Sequence, residues 1–130
     1  MKNVSEELKS NPARVALVPL ARTTFDIPLA QEVTAQVRSR LEQAGFELVG
    51  PEDLVTNLDR VETVANELAA DPPDLLLAFQ ATFADTTMVT RLAGAVDAPL
   101  LLWAVPEALT GGRLRLNSFC GINLAAHALK

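Results

Sequence analysis

The sequence has few of the features by which a small protein is cross-linked, docked on nucleic acid or anchored in a membrane. Cys120 is the single cysteine, so no internal disulfide can form, which fits a reducing cytosol. Only 11 Lys and Arg stand against 16 Asp and Glu, whereas nucleic-acid phosphates need clustered positive charge. The longest apolar run, Pro99 to Pro106, is far short of the ~20 residues that span a bilayer. We therefore expect a cytoplasmic protein that binds neither nucleic acid nor membranes.

Motifs for common cofactors are absent as well. No G-x-G-x-x-G follows the first apolar run and no G-x-x-x-x-G-K-S/T occurs, which argues against a dinucleotide fingerprint and a P-loop. Arg22 and Gln80 stand where a phospho-acceptor receiver domain would group its acids. With one histidine and no acid cluster at the ends of the predicted strands, the chain does not supply the converging ligands of a divalent metal. We expect this chain itself to bind no cofactor.

What the sequence does contain is enough apolar residues for one packed domain. It has 130 residues, of which 49% are hydrophobic, and a chain of this size can bury a core without a disulfide or a metal. The acidic start at Met1 to Glu7 lacks the apolar centre of an export signal. We predict a flexible N-terminal segment at 1–12 and a single α/β domain at 13–130, the first domain of a longer chain.

Short apolar runs alternate with helical periodicity along the chain. The runs typical of strands buried on both faces are 14–20, 46–49, 74–79 and 100–105. Each is followed by a helix with a candidate N-cap, at Asp26, at Thr56 or Asn57, at Asp85, and at Asn117 or Ser118. This alternation predicts right-handed βαβ units and a three-layer α/β/α fold, flavodoxin-like or Rossmann-like, with about four parallel strands in the order 2-1-3-4.

The apolar stripe of each predicted helix should face the sheet. The stripes are Leu29, Val33, Val37 and Leu41 in the first helix, Leu58, Val61, Ala65 and Leu68 in the second, Val89, Leu92, Ala93 and Val96 in the third, and Ile122, Ala125, Ala126 and Leu129 in the fourth. Gly45 is expected in the left-handed conformation that often ends a helix. Because a parallel sheet usually continues with a strand after its last helix, we expect the edge of the fourth strand to be open and to promote self-association.

Polar and aromatic residues follow the predicted strands, where ligands of open α/β sheets bind. The candidate substrate-binding residues are Arg22, Gln80, Thr82, Trp103, Glu107 and Asn117. Together they offer hydrogen-bond donors, acceptors and an aromatic face. This combination suits a polyhydroxylated small molecule.

Several of these residues also have a purely structural interpretation. Arg22 equally suits a charge that stabilises its loop or faces a partner. Gln80 and Thr82 suit capping of the following loop and helix, and Trp103 suits packing in the core or an interface. Cys120, near the predicted start of the last helix, is expected to be a buried and inert thiol.

Three stretches of the chain resemble the L-fucose/L-arabinose isomerase family. They are Pro19 to Phe25 after the first strand, the region from Phe79 to Asp85 through Leu101 to Glu107, and Gly112 to Gly121. The similarity extends over nearly the whole chain after Asn11. It implies that this chain is the N-terminal domain of a sugar isomerase-like protein.

The resemblance carries further implications. Family members are longer, with a second α/β domain and a β-rich C-terminal domain, and they interconvert aldoses and ketoses with a divalent metal, usually manganese. The metal ligands lie in the later domains, so this chain alone should be inactive. The first domain covers the active site of a neighbouring subunit in a homo-oligomer, with Arg22 as the best match for a sugar contact and the Gln80 loop next. The alternative is a free-standing small-molecule-binding or protein-interaction module of the same fold.

Overall fold

The computed structural model describes residues 12–130, and the predicted flexible segment 1–12 lies outside them except for Pro12. The strands are β1 (Arg14–Leu20), β2 (Glu47–Val49), β3 (Leu75–Gln80) and β4 (Leu100–Ala104). The helices are α1 (Ile27–Gln43), α2 (Leu58–Ala70), α3 (Thr86–Ala95) and α4 (Ser118–Ala128). Within this part of the chain, none of the helices has the length and apolar character that crossing a membrane requires.

The four described strands form one parallel sheet in the order β2-β1-β3-β4, as predicted. Pairing of β1 with β3 runs from Val15 opposite Leu75 to Leu20 opposite Gln80. The two central strands therefore end side by side, and the loops that follow them begin at the same level. This register, which hydrophobic periodicity does not reveal, brings two of the predicted polar loops together.

Helices cover both faces of the sheet, which explains why the central strands are apolar without interruption. Ala16, Val18 and Leu20 of β1 face a core built with α2, α3 and α4, and each is fully buried. Val15 and Leu17 face the opposite core, built with α1. The predicted three-layer architecture is confirmed, with three helices on one face and one on the other.

The faces that the helices bury differ in part from the predicted stripes. In α1 the buried residues are Ala30, Thr34 and Val37, and the predicted Leu29, Val33 and Leu41 are only half-buried beside them. Leu58, the first residue of α2, is 50% exposed and does not reach the core. Val64, which the predicted stripe did not include, is buried in α2 instead. Ala126 is exposed because α4 approaches the sheet through Gly121 and Ala125.

The helix starts also divide into two kinds. Asp26 accepts a hydrogen bond from the backbone N–H of Leu29 at 3.0 Å, and Asn57 accepts one from Arg60 at 2.8 Å, so α1 and α2 have the side-chain caps that were predicted. Asp85 and Asn117 hold the N-cap positions of α3 and α4 but make no capping hydrogen bond. The prediction of side-chain caps at these two positions was wrong, and their environment explains why.

Candidate functional site

The carboxyl ends of β1 and β3 are where the connections diverge across the sheet. The chain leaves β1 through α1 toward β2 on one side, and it leaves β3 through α3 toward β4 on the other. Ligands of doubly wound sheets bind outside such a switch point because the two loops part there. We call the surface formed by residues 21–26 and 81–85, together with the loop at 105–117 that packs against them, the β1–β3 edge.

Thr82 joins the first two loops of the β1–β3 edge. Its hydroxyl accepts a hydrogen bond from the backbone N–H of Arg22 at 2.8 Å and donates one to the carbonyl of Phe83 at 2.7 Å. The carbonyl of Leu20 accepts from the backbone N–H groups of Ala81 and Thr82 at 3.0 and 3.3 Å. Because Thr82 is fully buried, it fixes the position of Arg22 from beneath rather than facing solvent itself.

Gln80 supports the start of α4 from below. It is 1% exposed, and its carbonyl accepts a hydrogen bond from the Ser118 hydroxyl. Its side-chain oxygen Oε1 is buried and has no hydrogen-bond partner among the described residues. A Cβ at Gly121 would lie only 2.7 Å from that oxygen, so glycine is what allows α4 to approach so closely. The structure thus places Gln80 under the surface at the β1–β3 edge.

Arg22 is the predicted residue that reaches the surface of this edge. Its guanidinium forms an ion pair with Asp85, which explains why that carboxylate does not cap α3. The same guanidinium lies 5.1 Å from the centre of the Phe83 ring, a cation–π geometry. Arg22 is therefore held by a hydrogen bond at its backbone, an ion pair and a ring.

A second aromatic ring and a second arginine extend this arrangement. The rings of Phe83 and Phe25 lie 6.2 Å apart between centres, and the Arg113 guanidinium lies 5.6 Å from the centre of Phe25. We call Arg22, Phe83, Phe25 and Arg113 the arginine–phenylalanine row. Sequence reasoning did not select Phe25 or Arg113 as site residues, although Arg113 belongs with Arg115 to one of the two Arg-x-Arg pairs of the chain.

The loop after β4 is tied to the row by Arg115 and Asp26. Their side chains form an ion pair at 2.7 Å, and the backbone N–H of Asp26 donates to the carbonyl of Arg115 at 3.0 Å. The backbone N–H of Leu29 and the guanidinium of Arg115 both stabilise the Asp26 carboxylate and lower its pKa below the ordinary value. The two aspartates of the edge, Asp26 and Asp85, are thus both engaged by arginines.

Glu107 and Asn117 are brought together within the loop that follows β4. The Glu107 carboxylate accepts hydrogen bonds from the backbone N–H groups of Arg115, Leu116 and Asn117 at 2.7, 3.0 and 2.7 Å. Asn117 has a left-handed backbone with φ of 54°, a conformation that asparagine tolerates better than most residues. Both residues line a largely apolar depression of about 330 Å³, and their contacts shape this loop.

Trp103 lies apart from the other predicted residues. It is half-buried on the α1 face of β4, where its ring meets that of Phe79 edge-on at 6.2 Å between centres. Cys120, in contrast, is exposed on α4, so the expectation of a buried thiol was wrong. The first turn of α4 packs through Gly121, and this orientation turns the neighbouring Cys120 outward.

The described residues do not fit the manganese ion that the family resemblance implies. Among residues 12–130, no group of three or more His, Cys, Asp or Glu side chains is arranged to hold a metal. What the β1–β3 edge offers instead is a set of guanidinium donors and ring faces. These groups can bind and orient a ligand with hydroxyl or anionic groups.

A family model and several curated proteins that match this chain are all described as sugar isomerases. Residues 16–130 match the family model for the fucose/sulfoquinovose isomerase N-terminal domain. The chain is 30% identical over 116 residues to the sulfoquinovose isomerase of Priestia aryabhattai. This match covers 89% of this chain and 26% of the length of that protein. It is 31% identical over 116 residues to the sulfoquinovose isomerase of Alkalicoccus urumqiensis, with the same coverage. The chain thus spans about a quarter of the length of these curated relatives.

Proposed function

The chain belongs to the fucose/sulfoquinovose isomerase family, in which it matches the N-terminal domain, and from this premise we propose that it covers the sugar substrate of an aldose–ketose isomerase. In this role it binds and orients the sugar while the remaining polypeptide carries out the reaction. We further propose that the assembly is a homo-oligomer, in which the sugar lies between this domain and a neighbouring subunit. Metabolism of a sugar in the cytoplasm is the corresponding cellular role.

The observation that supports this proposal most directly is the position of Arg22. Its guanidinium is exposed at the switch point of the sheet and is held by Asp85 and Phe83, while the Thr82 hydroxyl accepts a hydrogen bond from its backbone N–H. Guanidinium N–H groups donate to sugar hydroxyl oxygens, while a phenylalanine ring packs against the apolar C–H face of a sugar. A donor held in one place in this way loses little freedom on binding, which favours orientation of the substrate.

The openness of the edge supports a covering role. The side chains of Arg22 and Asp85 remain 44% and 59% exposed. Ligand sites normally bury about 70–90% of a small ligand, so this surface can supply one wall of a site but not all of it. Because the chain spans 26% of the length of its relatives, a second wall from the remaining polypeptide is consistent with their size.

The charges of the edge favour binding over proton transfer. Interconversion of an aldose and a ketose needs a base that moves a proton between neighbouring carbons. Asp26 and Asp85 are both paired with arginines, and the Leu29 N–H and the Arg115 guanidinium lower the pKa of Asp26, so these carboxylates hold the edge together rather than accept a proton from the sugar. Since the described residues also do not fit a metal ion, we assign the reacting groups and any manganese to the polypeptide outside this domain.

A sugar titration of the chain, followed by NMR, tests this role. Sulfoquinovose added to the isotopically labelled protein should shift the amide signals of residues 21–26 and 81–85. Arg22→Ala should weaken that binding about ten-fold, because it removes a charged hydrogen-bond donor. Arg91→Ala is the matched control, since Arg91 is also exposed and paired with a carboxylate. Its partner is Glu62, and this pair joins α3 to α2, which we call the outer helices.

The outcomes of this titration separate the proposal from its alternative. Shifts confined to the outer helices, or equal affinity in the Arg22 and Arg91 variants, would contradict a sugar contact at the β1–β3 edge. The chain by itself should also show no isomerase activity with added manganese in a ketose assay. Measurable turnover would show that the reacting groups lie within this domain.

A further inference from the structure

Arg113 differs from the two other arginines of the edge in the partners that it has. Arg22 is paired with Asp85, and Arg115 is paired with Asp26. Arg113 makes no ion pair within residues 12–130, and its guanidinium lies 5.6 Å from the centre of the Phe25 ring. We propose that Arg113 binds the anionic group of a sulfonated sugar and thereby selects that sugar over its neutral counterpart. This inference rests on the proposed substrate-covering role.

The loop that carries Arg113 is anchored immediately after it. Glu107 accepts hydrogen bonds from the three successive backbone N–H groups at 115–117, and Arg115 is paired with Asp26 at the start of α1. The backbone N–H of Phe83 also donates to the carbonyl of Leu116 at 2.7 Å. These contacts fix the loop against both other loops of the edge, so the position of Arg113 over Phe25 follows from the surrounding structure.

The contact with Phe25 leaves the guanidinium suited to an anion. A guanidinium over a ring keeps its charge and its N–H donors, which form a planar fork that matches the oxygens of a sulfonate, phosphate or carboxylate. The ring also limits the orientations of the arginine side chain, which reduces the entropy lost on binding. Arg113 therefore resembles a preformed anion contact more than a freely moving surface arginine.

The local charges point to the same residue. The chain as a whole has a net charge of −5, so it does not attract anions in general. At this edge, however, each carboxylate is already engaged by the chain: Asp26 and Asp85 by arginines, and Glu107 by backbone N–H groups. Arg113 is the arginine of the edge whose charge no described carboxylate balances.

The arginine–phenylalanine row suggests how a sugar would lie. Arg22 contacts Phe83, Arg113 contacts Phe25, and the two rings are neighbours, so the arginines belong to opposite ends of the row. A sugar ring resting on the phenylalanines would place its hydroxyl groups near Arg22 and its anionic group near Arg113. The two arginines should therefore affect two substrates differently.

The experiment compares sulfoquinovose with quinovose, which is the same sugar without the sulfonate, by NMR titration of the whole chain. Arg113→Ala should weaken sulfoquinovose binding about ten-fold and leave quinovose binding unchanged. Arg22→Ala should weaken the binding of both sugars. Arg91→Ala, which removes the same charge from the outer helices, should weaken neither.

The possible failures can be told apart. If both sugars bind at the β1–β3 edge with equal affinity, or if Arg113→Ala weakens both equally, the sulfonate contact is overturned while the covering role stands. If neither sugar shifts the signals of this edge, the covering role fails and the sulfonate contact fails with it. A preference for sulfoquinovose that persists in Arg113→Ala would place the anion contact on another residue and overturn this assignment.

Discussion

The starts of α1 and α2 and the starts of α3 and α4 lie along the same edge of the sheet but are built differently. Asp26 and Asn57 cap the first two helices with their own side chains. Asp85 and Asn117 occupy the same positions in the other two helices without a capping hydrogen bond. The comparison shows where the chain follows local helix rules and where longer-range contacts override them.

At the two uncapped starts, long-range contacts of the edge take the place of the cap, whereas Asp26 keeps its capping hydrogen bond while it also pairs with Arg115. Asp85 is paired with Arg22, and the backbone of Asn117 is held in a left-handed turn by the Glu107 carboxylate. Proteins commonly depart from local preferences at functional sites and stabilise those places through other contacts. The loss of two helix caps beside the arginine–phenylalanine row fits this pattern.

The largest effect that would sharpen this comparison is expected at the start of α4. Gly121→Ala would place a Cβ 2.7 Å from Oε1 of Gln80 and 3.2 Å from the Cα of Phe83. Such overpacking typically costs about 1–3 kcal/mol, since the buried glutamine has little room to move. Urea unfolding followed by circular dichroism measures this loss of stability.

Gly94 provides the matched control for this substitution. It lies in α3 with nothing within 4 Å of its Cβ position, so Gly94→Ala should stabilise the protein by about 0.5–1 kcal/mol. Opposite signs for the two glycine substitutions would support close packing at the start of α4. Equal stabilisation by both would show that α4 is not held against Gln80.

A smaller effect separates the two asparagines. Asn57→Ala removes the side-chain cap of α2 and should cost about 1 kcal/mol. Asn117→Gly removes no capping bond and relieves a positive φ, so it should leave stability unchanged or raise it by about 0.5 kcal/mol. A comparable loss in both variants would mean that Asn117 caps α4 in solution, and the distinction between the two kinds of start would disappear.

Local signals in the sequence predicted much of the fold. Asp26 before Pro28 predicted the start of α1, and Gly45 has the expected left-handed φ of 96° after that helix. The uninterrupted apolar run at 14–20 matched β1 residue for residue. These features depend on a few neighbouring residues, and for this reason a single sequence reveals them.

The residues that form the surface of the candidate site were harder to predict from the sequence. Arg22 was selected because it follows a strand, but Phe25, Phe83 and Arg113 come together only through the packing of three loops. The exposure of Cys120 likewise depends on how α4 rotates about its axis to bring Gly121 against the sheet. Contacts between distant parts of the chain carry no periodic signal, so a structure was needed to find them.

The smallest expected effect concerns the pH dependence of the capped start at Asp26. The Leu29 N–H and the Arg115 guanidinium lower the pKa of Asp26 in the folded protein, so the unfolded chain binds the proton more tightly. The stability that this carboxylate contributes is therefore complete above its ordinary pKa near 3.8, and it is lost as the pH falls through that value toward the lowered one. Asp26 is half-buried, but its ion pair with Arg115 reaches the surface, where solvent screening keeps the contribution small.

Asp26→Asn isolates this contribution, because asparagine can still cap α1 but does not titrate. The carboxyls of Asp53 and Glu62 also have lowered pKa values, so the protein as a whole should lose stability in acid. Urea unfolding between about pH 6 and pH 3 should therefore show a shallower loss of stability in the variant than in the unchanged protein. Parallel curves would show that neither Leu29 nor Arg115 favours the charged carboxylate in solution. In that case the start of α1 would owe its stability to cap geometry alone, and only the presence of the capping hydrogen bond would distinguish it from the starts of α3 and α4.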